Sequence, residues 1–328
     1  MKAIVRAGYG PPDVLQFMEV EKPAPTDNEV LIKLCAASVN PLDLFLLRGA
    51  PLIRSIPGLN TPKCKIVGCD IAGRVEAVGK NVKQFRPGDE VFGVTGFEGG
   101  GFAEYVCAME DKVALKPANR SFEEAAAVPI AALTALQGLR DKGGIQRGHK
   151  VLIDGASGGV GTFAVQIAKS FGAEVTAVCS TNKVDTARAI GAEHVIDYTR
   201  EDFRKSKQRY DLILGANAHH SIFDYTRALN PDGVYVLAGG SVFRIFQAML
   251  MAPLVSRMGR KKMRFFIANI NQKDLVFLKE LMETGKVVPV IDRRYPLSEA
   301  AEAFRYLEER HARGKIVVTV GPPTAATL

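Results

Sequence analysis

The stretch that decides the fold is Lys150-Val151-Leu152-Ile153-Asp154-Gly155-Ala156-Ser157-Gly158-Gly159-Val160-Gly161, followed by Thr162-Phe163-Ala164-Val165-Gln166-Ile167-Ala168-Lys169. It joins a short apolar run, a turn rich in glycine and a segment of helical pattern. A strand, a glycine turn and a helix in this order form a dinucleotide pyrophosphate site, because glycine lets the amides at the helix start approach the phosphates. We predict that this site uses Ser157, Gly158, Gly159, Val160 and Gly161; the alternative is a merely structural turn.

The next strand and its loop indicate which cofactor binds. A site for NAD usually places an acidic residue at the end of this strand, where it holds the ribose 2′-hydroxyl. Residues 179–184 contain no acid, but they offer Ser180 and Lys183, which suit the 2′-phosphate of NADPH. Tyr198 ends the third strand of the unit, at the same adenosine end. The alternatives are a polar loop with a solvated lysine and an aromatic residue that only packs.

Length, charge and cysteine content exclude several classes of protein. A chain of 328 residues favours two domains, and 47% hydrophobic with 24% charged residues is typical of a globular protein. The net charge of +8 is not clustered throughout, so nucleic-acid binding is not indicated. Five cysteines without a C-x-x-C pair favour reduced thiols. The N-terminus begins on a strand pattern, and no apolar stretch has the length of a membrane span.

The chain divides by pattern. Residues 1 to about 120 consist of short period-two runs separated by Gly, Pro and Asp, which predict a compact β-barrel or sandwich. Strands and helices then alternate, with strand cores near 151–154, 175–178, 194–196, 211–214, 234–237 and 265–268, as in a doubly wound parallel sheet. The tail returns to strand-helix-strand. We expect an α/β chain in which 1–122 and 288–328 form one domain and 123–287 the cofactor domain, with the active cleft between them.

Several segments together resemble the medium-chain dehydrogenase/reductase superfamily, in particular its zinc-independent quinone oxidoreductase and enone reductase branch, and less closely the quinone oxidoreductase homologues of plastid envelopes. Besides the glycine turn, the segments are Asn40-Pro41-Leu42-Asp43, Gly68-Cys69-Asp70-Ile71-Ala72-Gly73, Arg86-Pro87-Gly88-Asp89-Glu90-Val91, Phe102-Ala103-Glu104-Tyr105, Ala126-Ala127-Val128-Pro129 and His311-Ala312-Arg313-Gly314-Lys315-Ile316-Val317. The resemblance covers nearly the whole chain. It implies a GroES-like catalytic domain of β-barrel type and a Rossmann domain that binds NADPH.

The departures from the zinc-dependent relatives are informative. Those enzymes carry a cysteine where this chain has Asn40, and Gly-His-Glu where it has Gly68-Cys69-Asp70. A catalytic zinc needs about three converging protein ligands. Two of them are replaced here and the four-cysteine structural lobe is missing, so we predict no metal site.

Without a metal to polarise a carbonyl, the resemblance implies substrates that are already activated: quinones or α,β-unsaturated aldehydes and ketones. We expect an NADPH-dependent, zinc-independent quinone oxidoreductase or 2-alkenal reductase. The alternatives are a zinc-free alcohol/aldehyde oxidoreductase and a non-catalytic NADPH-binding structural or regulatory protein. The sequence does not distinguish quinone from enone. The compartment expected is the cytoplasm or a reducing organelle, such as the plastid stroma or envelope surface.

The resemblance also implies roles for single residues. Asn40 is the catalytic candidate, as a donor or positioning group beside the nicotinamide; the alternative is an asparagine that forms the turn before Pro41. Phe45 stands where related reductases often have a tyrosine, which puts a tyrosine-assisted mechanism in doubt. The further cofactor contacts implied are Thr134, Gly239, Phe266, Ile267, Arg310 and Lys315.

Residues 242–264 are rich in Met, Phe and Leu and end in a basic cluster. Three interpretations remain open: a peripheral contact with an anionic membrane, an adaptable apolar wall for the substrate, and the interface of a homodimer. The resemblance favours a homodimer, since neighbouring strands pair subunits in this family.

Overall fold

The computed structural model of the chain describes residues 1–49, 62, 65–96, 99–240 and 260–321. They form two compact units. The first consists of Met1–Ile130, Ile270–Glu283 and Ile291–Leu328, and the second of Ala131–Asn269 and Thr284–Val290. Elements are numbered in chain order.

The first unit is built on a largely antiparallel sheet. Its strands are β1 (Lys2–Arg6), β2 (Leu15–Glu19), β3 (Glu29–Val39), β4 (Asp70–Val78), β5 (Glu90–Val94), β6 (Tyr105–Met109), β7 (Val113–Leu115), β14 (Ile291–Pro296) and β15 (Lys315–Thr319). The order is β14-β15-β3-β4-β5-β7, with β6 paired to β3 and with β1 and β2 in a separate pair. Only β14 and β15, among the described neighbours in this sheet, run parallel.

The described part of this unit also contains four α-helices. They are α1 (Pro41–Arg48), α2 (Phe122–Ala126), α7 (Gln272–Glu283) and α8 (Ala300–Glu308). On α8, Ala300, Ala303 and Phe304 share the buried face, and Phe304 meets Phe102 edge to face at 5.7 Å between ring centroids. The α7 helix groups with this unit, whereas the sequence division placed residues 123–287 together. Its last residue, Glu283, accepts a hydrogen bond from the Ala118 amide at 3.1 Å.

The second unit holds a six-stranded parallel sheet. Its strands are β8 (Lys150–Asp154), β9 (Glu174–Cys179), β10 (His194–Asp197), β11 (Tyr210–Gly215), β12 (Leu229–Leu237) and β13 (Lys262–Phe265). Its helices are α3 (Pro129–Gln137), which continues as a π-helical turn over Gly138–Lys142, α4 (Gly159–Ser170), α5 (Val184–Ala189) and α6 (Ile222–Ala228). The strand order β10-β9-β8-β11-β12-β13 reverses direction between β8 and β11, where doubly wound folds bind ligands.

The predicted α/β class, with a doubly wound parallel sheet in one unit and with the other unit rich in β-structure, is confirmed. The predicted position of the sixth strand of this sheet was wrong by about three residues. The apolar run Phe265-Phe266-Ile267 suggested a strand core at 265–268, but the ladder to β12 pairs Lys262 to Phe265 with Val234 to Leu237. Ile267 lies beyond the ladder with 76% of its surface exposed. An apolar run therefore marked the end of this strand rather than its centre.

Within the described parts of the chain, no helix is both long enough and apolar enough to cross a bilayer. Most of the segment 242–264, on which the membrane, substrate-wall and dimer interpretations rest, lies outside the described residues; only Arg260 to Arg264 are described.

Candidate cofactor-binding and active site

The glycine turn, Gly155–Gly161, joins β8 to α4 and depends on glycine at two positions. Gly155 has a φ of +83°, a conformation that a side chain would strain. A Cβ added to Gly161 would lie 2.1 Å from the Gly155 carbonyl oxygen, so the helix can start this close to the strand only with glycine there. A Cβ on Gly158 would meet nothing nearer than the Gly155 oxygen at 3.7 Å. The backbone is therefore tight within the turn and open at Gly158.

The start of α4 suits an anion. Gly158 is the N-cap and has no side chain to cap the helix, and the first turn, Gly159 to Thr162, carries no charged side chain. The first amides of an α-helix have no acceptor within the helix and lie at the positive end of its dipole. Gly158, Gly159 and Val160 are partly exposed, while Ser157 is 8% exposed. The turn thus fits a dinucleotide pyrophosphate, held by backbone amides.

Ser180, Lys183 and Tyr198 follow the two strands next to β8 on one side. Since β8, β9 and β10 are parallel, their carboxyl ends lie at the same edge of the sheet. Ser180 precedes the 3₁₀ turn Thr181–Lys183, and its hydroxyl donates to Asn182 Oδ1 at 2.8 Å. Tyr198 is 61% exposed, and its amide donates to the Cys179 oxygen at 3.0 Å. The structure therefore brings these three residues to the edge that carries the glycine turn.

Gly239 follows β12 on the other side of the sheet's reversal point. A Cβ there would lie 2.4 Å from the Ala216 oxygen, and its amide donates to the Gly215 oxygen at 3.0 Å. Phe266 follows β13 and packs on Gly138, where a Cβ would be 3.4 Å from the phenyl ring. Thr134 lies one helical turn before Gly138 and is partly exposed, whereas the neighbouring Leu133 is fully buried.

The loop after β13 is held by a side chain that the sequence analysis did not identify. Gln137 is 5% exposed; its Nε2 donates to the Asn269 oxygen at 2.7 Å and its Oε1 accepts from the Asn269 amide at 2.8 Å. This pair of bonds fixes the segment that contains Phe266 and the exposed Ile267. The spacing of Gln137 in a helical pattern gave no signal of this contact.

Asn40, the catalytic candidate, lies in a buried polar cluster of the first unit. Its Nδ2 donates to Asp70 Oδ2 at 2.8 Å, and its Oδ1 accepts from Lys315 Nζ at 2.5 Å. Lys315 Nζ also lies 3.3 Å from Asp70 Oδ2. Asn40 is 2% exposed and Lys315 3%. Both ends of the Asn40 amide are therefore fixed by a buried ion pair.

Asp70 receives further donors, which explains how a carboxylate tolerates complete burial. The Ser38 hydroxyl donates to Oδ2 at 2.9 Å, and the Ile130 amide donates to Oδ1 at 2.9 Å. Ionised groups in a protein interior need such partners, because water is excluded.

Asp43 is the second buried carboxyl of this cluster. At the start of α1 its Oδ2 accepts from the Asn40 amide at 2.8 Å, which makes it the N3 residue of a capping box. Burial, followed by the nearby Asp70 charge, raises the pKa of Asp43 to about 6, although a hydrogen bond from Cys69 opposes the shift. Asp43 therefore braces the turn that leads into α1 through its bond with the Asn40 amide.

Arg310 lies apart from this cluster, after α8. It is exposed and has a φ of +59°, and its amide donates to the Leu307 oxygen at 3.1 Å. Lys315, five residues later, begins β15 and points into the core. The two tail residues that the resemblance grouped together therefore have different surroundings.

Asp154, the last residue of β8, was also missed by the sequence analysis. It is 5% exposed, and the Tyr225 hydroxyl donates to its Oδ2. Burial raises the pKa of Asp154 to about 6, and burial beside Asp154 raises the pKa of Tyr225. Tyr225 in turn stacks on Tyr235, with 4.5 Å between ring centroids. An acid at the end of an otherwise apolar strand was the available signal.

Comparison with known proteins decides the family. The profile described as alcohol dehydrogenase GroES-like domain matches residues 26–118, and the profile described as zinc-binding dehydrogenase matches residues 190–318. The chain is 36% identical over 330 residues to the 2-methylene-furan-3-one reductase of Solanum lycopersicum, covering 97% of this chain and 79% of that protein. The chain belongs to the medium-chain dehydrogenase/reductase superfamily.

Two further members illustrate the branch. The NADPH-dependent alkenal/one oxidoreductase, chloroplastic, of Arabidopsis thaliana is 34% identical, and the match covers 97% of this chain and 79% of that protein. The structure of the quinone oxidoreductase from Coxiella burnetii superposes with a TM-score of 0.84 at 31% identity, covering 98% of this chain and 99% of its own. The resemblance of the sequence to this superfamily, through quinone oxidoreductase and enone reductase relatives, is confirmed.

The profile described as zinc-binding dehydrogenase matches residues 190–318, whereas the positions at which this chain departs from the zinc-dependent relatives are 40, 69 and 70. In this medium-chain dehydrogenase/reductase they are Asn, Cys and Asp, and the ammonium of Lys315 lies within hydrogen-bond distance of Asn40 and Asp70. Among the described residues, no three His, Cys, Asp or Glu side chains are grouped so as to hold a metal ion. The absence of a metal site stays a prediction.

Proposed function

We propose that this protein is an NADPH-dependent, zinc-independent reductase that transfers hydride to quinones or α,β-unsaturated carbonyl compounds. The observation that carries the proposal is the glycine turn, with Ser180, Lys183 and Tyr198 at the same sheet edge where an NAD site would have an acid. The names of the Arabidopsis and Coxiella relatives support the two substrate classes.

The cofactor contacts follow from the second unit. The amides of Gly159, Val160 and Gly161 hold the diphosphate, with Ser157 and Gly158 forming its approach, and Ser180, Lys183 and Tyr198 hold the 2′-phosphate. Thr134, Gly239, Phe266 and Ile267 contact the nicotinamide half. Of the two tail residues, the exposed Arg310 is a direct contact.

Asn40 and Lys315 act differently in this proposal. Because both ends of the Asn40 amide are engaged inside the first unit, Asn40 is a positioning residue rather than a free donor. The Lys315 ammonium holds that amide and balances the Asp70 charge, and so acts through Asn40.

NADPH, when bound, supplies a hydride. The acceptor gains that hydride: an α,β-unsaturated carbonyl compound at its electron-poor carbon, or a quinone. A proton from solvent then completes the saturated carbonyl product or the hydroquinone, and NADP⁺ remains. The negative charge that develops lies on a conjugated oxygen, which hydrogen-bond donors or water stabilise. The contribution of the chain is to bind, orient and exclude water.

The test is oxidation of NADPH, followed by its near-ultraviolet absorbance, with 9,10-phenanthrenequinone and with a medium-chain 2-alkenone. We expect turnover that persists with a metal chelator and is faster with NADPH than with NADH. Turnover of simple alcohols instead would favour the alcohol/aldehyde oxidoreductase. NADPH binding without turnover of any acceptor would favour a structural or regulatory protein.

A homodimer belongs to the same proposal. Among the described strands, β13 ends the parallel sheet, and the edge of such a sheet can pair with another chain. Sedimentation equilibrium should give twice the mass of the 35.5 kDa chain. A monomer at micromolar concentration would contradict it.

The membrane interpretation receives less support from the basic residues that are described. Arg260 pairs with Asp232 at 2.6 Å, Lys261 Nζ donates to the Thr226 oxygen at 2.6 Å, and Arg264 donates to the Lys142 oxygen at 2.5 Å. Flotation with anionic liposomes, lost on changing Arg260, Lys261, Lys262 and Arg264 to Ser, would nevertheless establish an electrostatic membrane contact. None of the four described cysteines forms a disulfide, which suits the proposed reducing compartment, such as the plastid of the chloroplastic relative.

A further inference from the structure

Asp197, the last residue of β10, is an acid within the region where the 2′-phosphate is proposed to bind. It is 8% exposed. The Thr181 hydroxyl donates to its Oδ2 at 2.6 Å. Its Oδ1 accepts from the Thr199 amide at 3.0 Å and from the Thr199 hydroxyl at 2.7 Å. Both oxygens of the carboxylate are therefore engaged by the protein itself.

An acid at such a site would normally disfavour a phosphate, because like charges repel. Here the bond from Thr181 is the main cause that lowers the pKa of Asp197, so the group is ionised at neutral pH. Arg200 Nε lies 3.6 Å from Oδ2 and opposes the negative charge. A carboxylate so occupied is also poorly placed to accept the ribose 2′-hydroxyl of NADH.

The donors of Asp197 belong to two different loops. Thr181 begins the turn after β9, between Ser180 and Lys183. Thr199 follows Tyr198, in the loop after β10, and its hydroxyl oxygen is 2.8 Å from that of Thr181. The bonds to Asp197 thus join the loop that carries Ser180 and Lys183 to the loop that carries Tyr198.

We propose that Asp197 is a positioning residue that determines cofactor specificity: by joining these two loops it sets Ser180, Lys183 and Tyr198 for a single 2′-phosphate. The proposal rests on the proposed NADPH function and deepens it. Asp197 itself does not touch the cofactor; its effect is exerted through Thr181 and Thr199.

The test compares dissociation constants of NADPH and NADH, and of 2′,5′-ADP and 5′-AMP, for the wild type, Asp197→Ala and Thr181→Val. We expect Asp197→Ala to weaken NADPH and 2′,5′-ADP about 10-fold, while NADH and 5′-AMP change less than about twofold, the size of effect that a few lost hydrogen bonds produce. Thr181→Val, which keeps the acid, should weaken NADPH about threefold. The double variant should be no weaker than Asp197→Ala, since both changes remove one linkage.

The matched control is Asp185→Ala. Asp185 lies in the first turn of α5, close in sequence to the same loop, and is fully exposed, with only Arg188 at 4.0 Å. The Asp185→Ala change removes one negative charge, as Asp197→Ala does, but it leaves the hydrogen bonds that join the two loops in place. NADPH and NADH should therefore both bind as they do to the wild type.

Two results would overturn the inference while leaving the NADPH function intact. The first is unchanged or tighter NADPH binding by Asp197→Ala, which would mean that the acid only repels the phosphate. The second is an equal loss of NADPH and NADH in both variants, which would indicate a general structural role. A wild type that does not prefer NADPH to NADH would instead refute the proposed function, and this inference with it.

Discussion

The glycine turn and the Asn40 cluster stabilise charge in opposite ways. At Gly155–Gly161 the chain offers backbone amides and no side chains, so an anion can approach the helix start. At Asn40, Asp70 and Lys315 the chain supplies both charges itself and buries them. The first region carries no charged side chain at the helix start, whereas in the second the charges of Asp70 and Lys315 are paired with each other.

This difference determines how each region responds to mutation. A Cβ added at Gly161 meets backbone, which cannot move aside cheaply, whereas one added at Gly158 has its nearest neighbour at 3.7 Å. In the Asn40 cluster, removal of one charge leaves the other unpaired in the protein interior, which is the costly event. The first region should therefore be sensitive to volume and the second to charge.

The largest effect is expected from Gly161→Ala. Its Cβ would lie 2.1 Å from the Gly155 oxygen, so β8 and α4 must separate and the amides lose their alignment. NADPH binding should weaken at least about 100-fold, with a lower melting temperature. Calorimetric titration and thermal unfolding measure the two effects.

Gly158→Ala is the matched variant within the same turn. Its Cβ fits the protein, with the nearest contact at 3.7 Å, but occupies the open side of the turn. The melting temperature should stay near that of the wild type while NADPH binding weakens. Equal behaviour of the two variants would show that the tight and open sides of the turn do not differ.

In the Asn40 cluster, Lys315→Met should destabilise the fold by about 3–5 kcal/mol, because Asp70 keeps its charge and loses its counter-ion. Asp70→Asn combined with Lys315→Met should recover part of this loss. Urea unfolding of the single and double variants gives the coupling. The control is Arg260→Met, which breaks the exposed pair with Asp232 and should leave stability unchanged. Additive single and double effects would refute the pairing.

The two regions also differ in what the sequence could predict. The glycine turn is contiguous, and its strand-turn-helix context identified the parallel sheet and predicts most of the proposed dinucleotide contacts. The Asn40 cluster joins residues 30 and 275 positions apart, so no local pattern contains it. Asn40 itself was found through a family resemblance, which could not show that its amide is held by Lys315.

The misplaced sixth strand has a related cause. Hydrophobicity located the run at 265–268, but strand register depends on hydrogen bonds with β12, which composition does not encode. The contacts of Asp197 and Asp154 are similar cases, because each needs a partner from another element of the sheet.

Each of the two regions has a buried carboxyl whose pKa is raised to about 6. These are Asp43 in the Asn40 cluster and Asp154 directly before the glycine turn, and burial is the main cause of the raised pKa in both. A carboxyl with a native pKa above its unfolded value of about 3.9 binds more protons in the native state between these values. Each acid should therefore lower the stability by up to about 3 kcal/mol as the pH rises from 4 to 6.

Asp43→Asn and Asp154→Asn each remove this titration. Their stability relative to the wild type should increase as the pH rises from 4 to 6 and stay constant above about 7. Urea unfolding at half-unit pH intervals measures the difference. A difference that is independent of pH in one variant would show that this carboxyl is not strongly desolvated.

The smallest effect is expected from Tyr225→Phe, which keeps the ring stacked on Tyr235 but removes the donor to Asp154. A lost hydrogen bond to a charged acceptor should cost about 1.5–3 kcal/mol and raise the pKa of Asp154 further. The matched control is Tyr306→Phe, which removes a similar bond to Asp292, 2.7 Å long, in a partly exposed setting of the first unit. Because water can replace the lost donor there, its stability should change less. If Tyr306→Phe costs as much as Tyr225→Phe, burial does not set the strength of the bond between Tyr225 and Asp154, the residue that precedes the glycine turn.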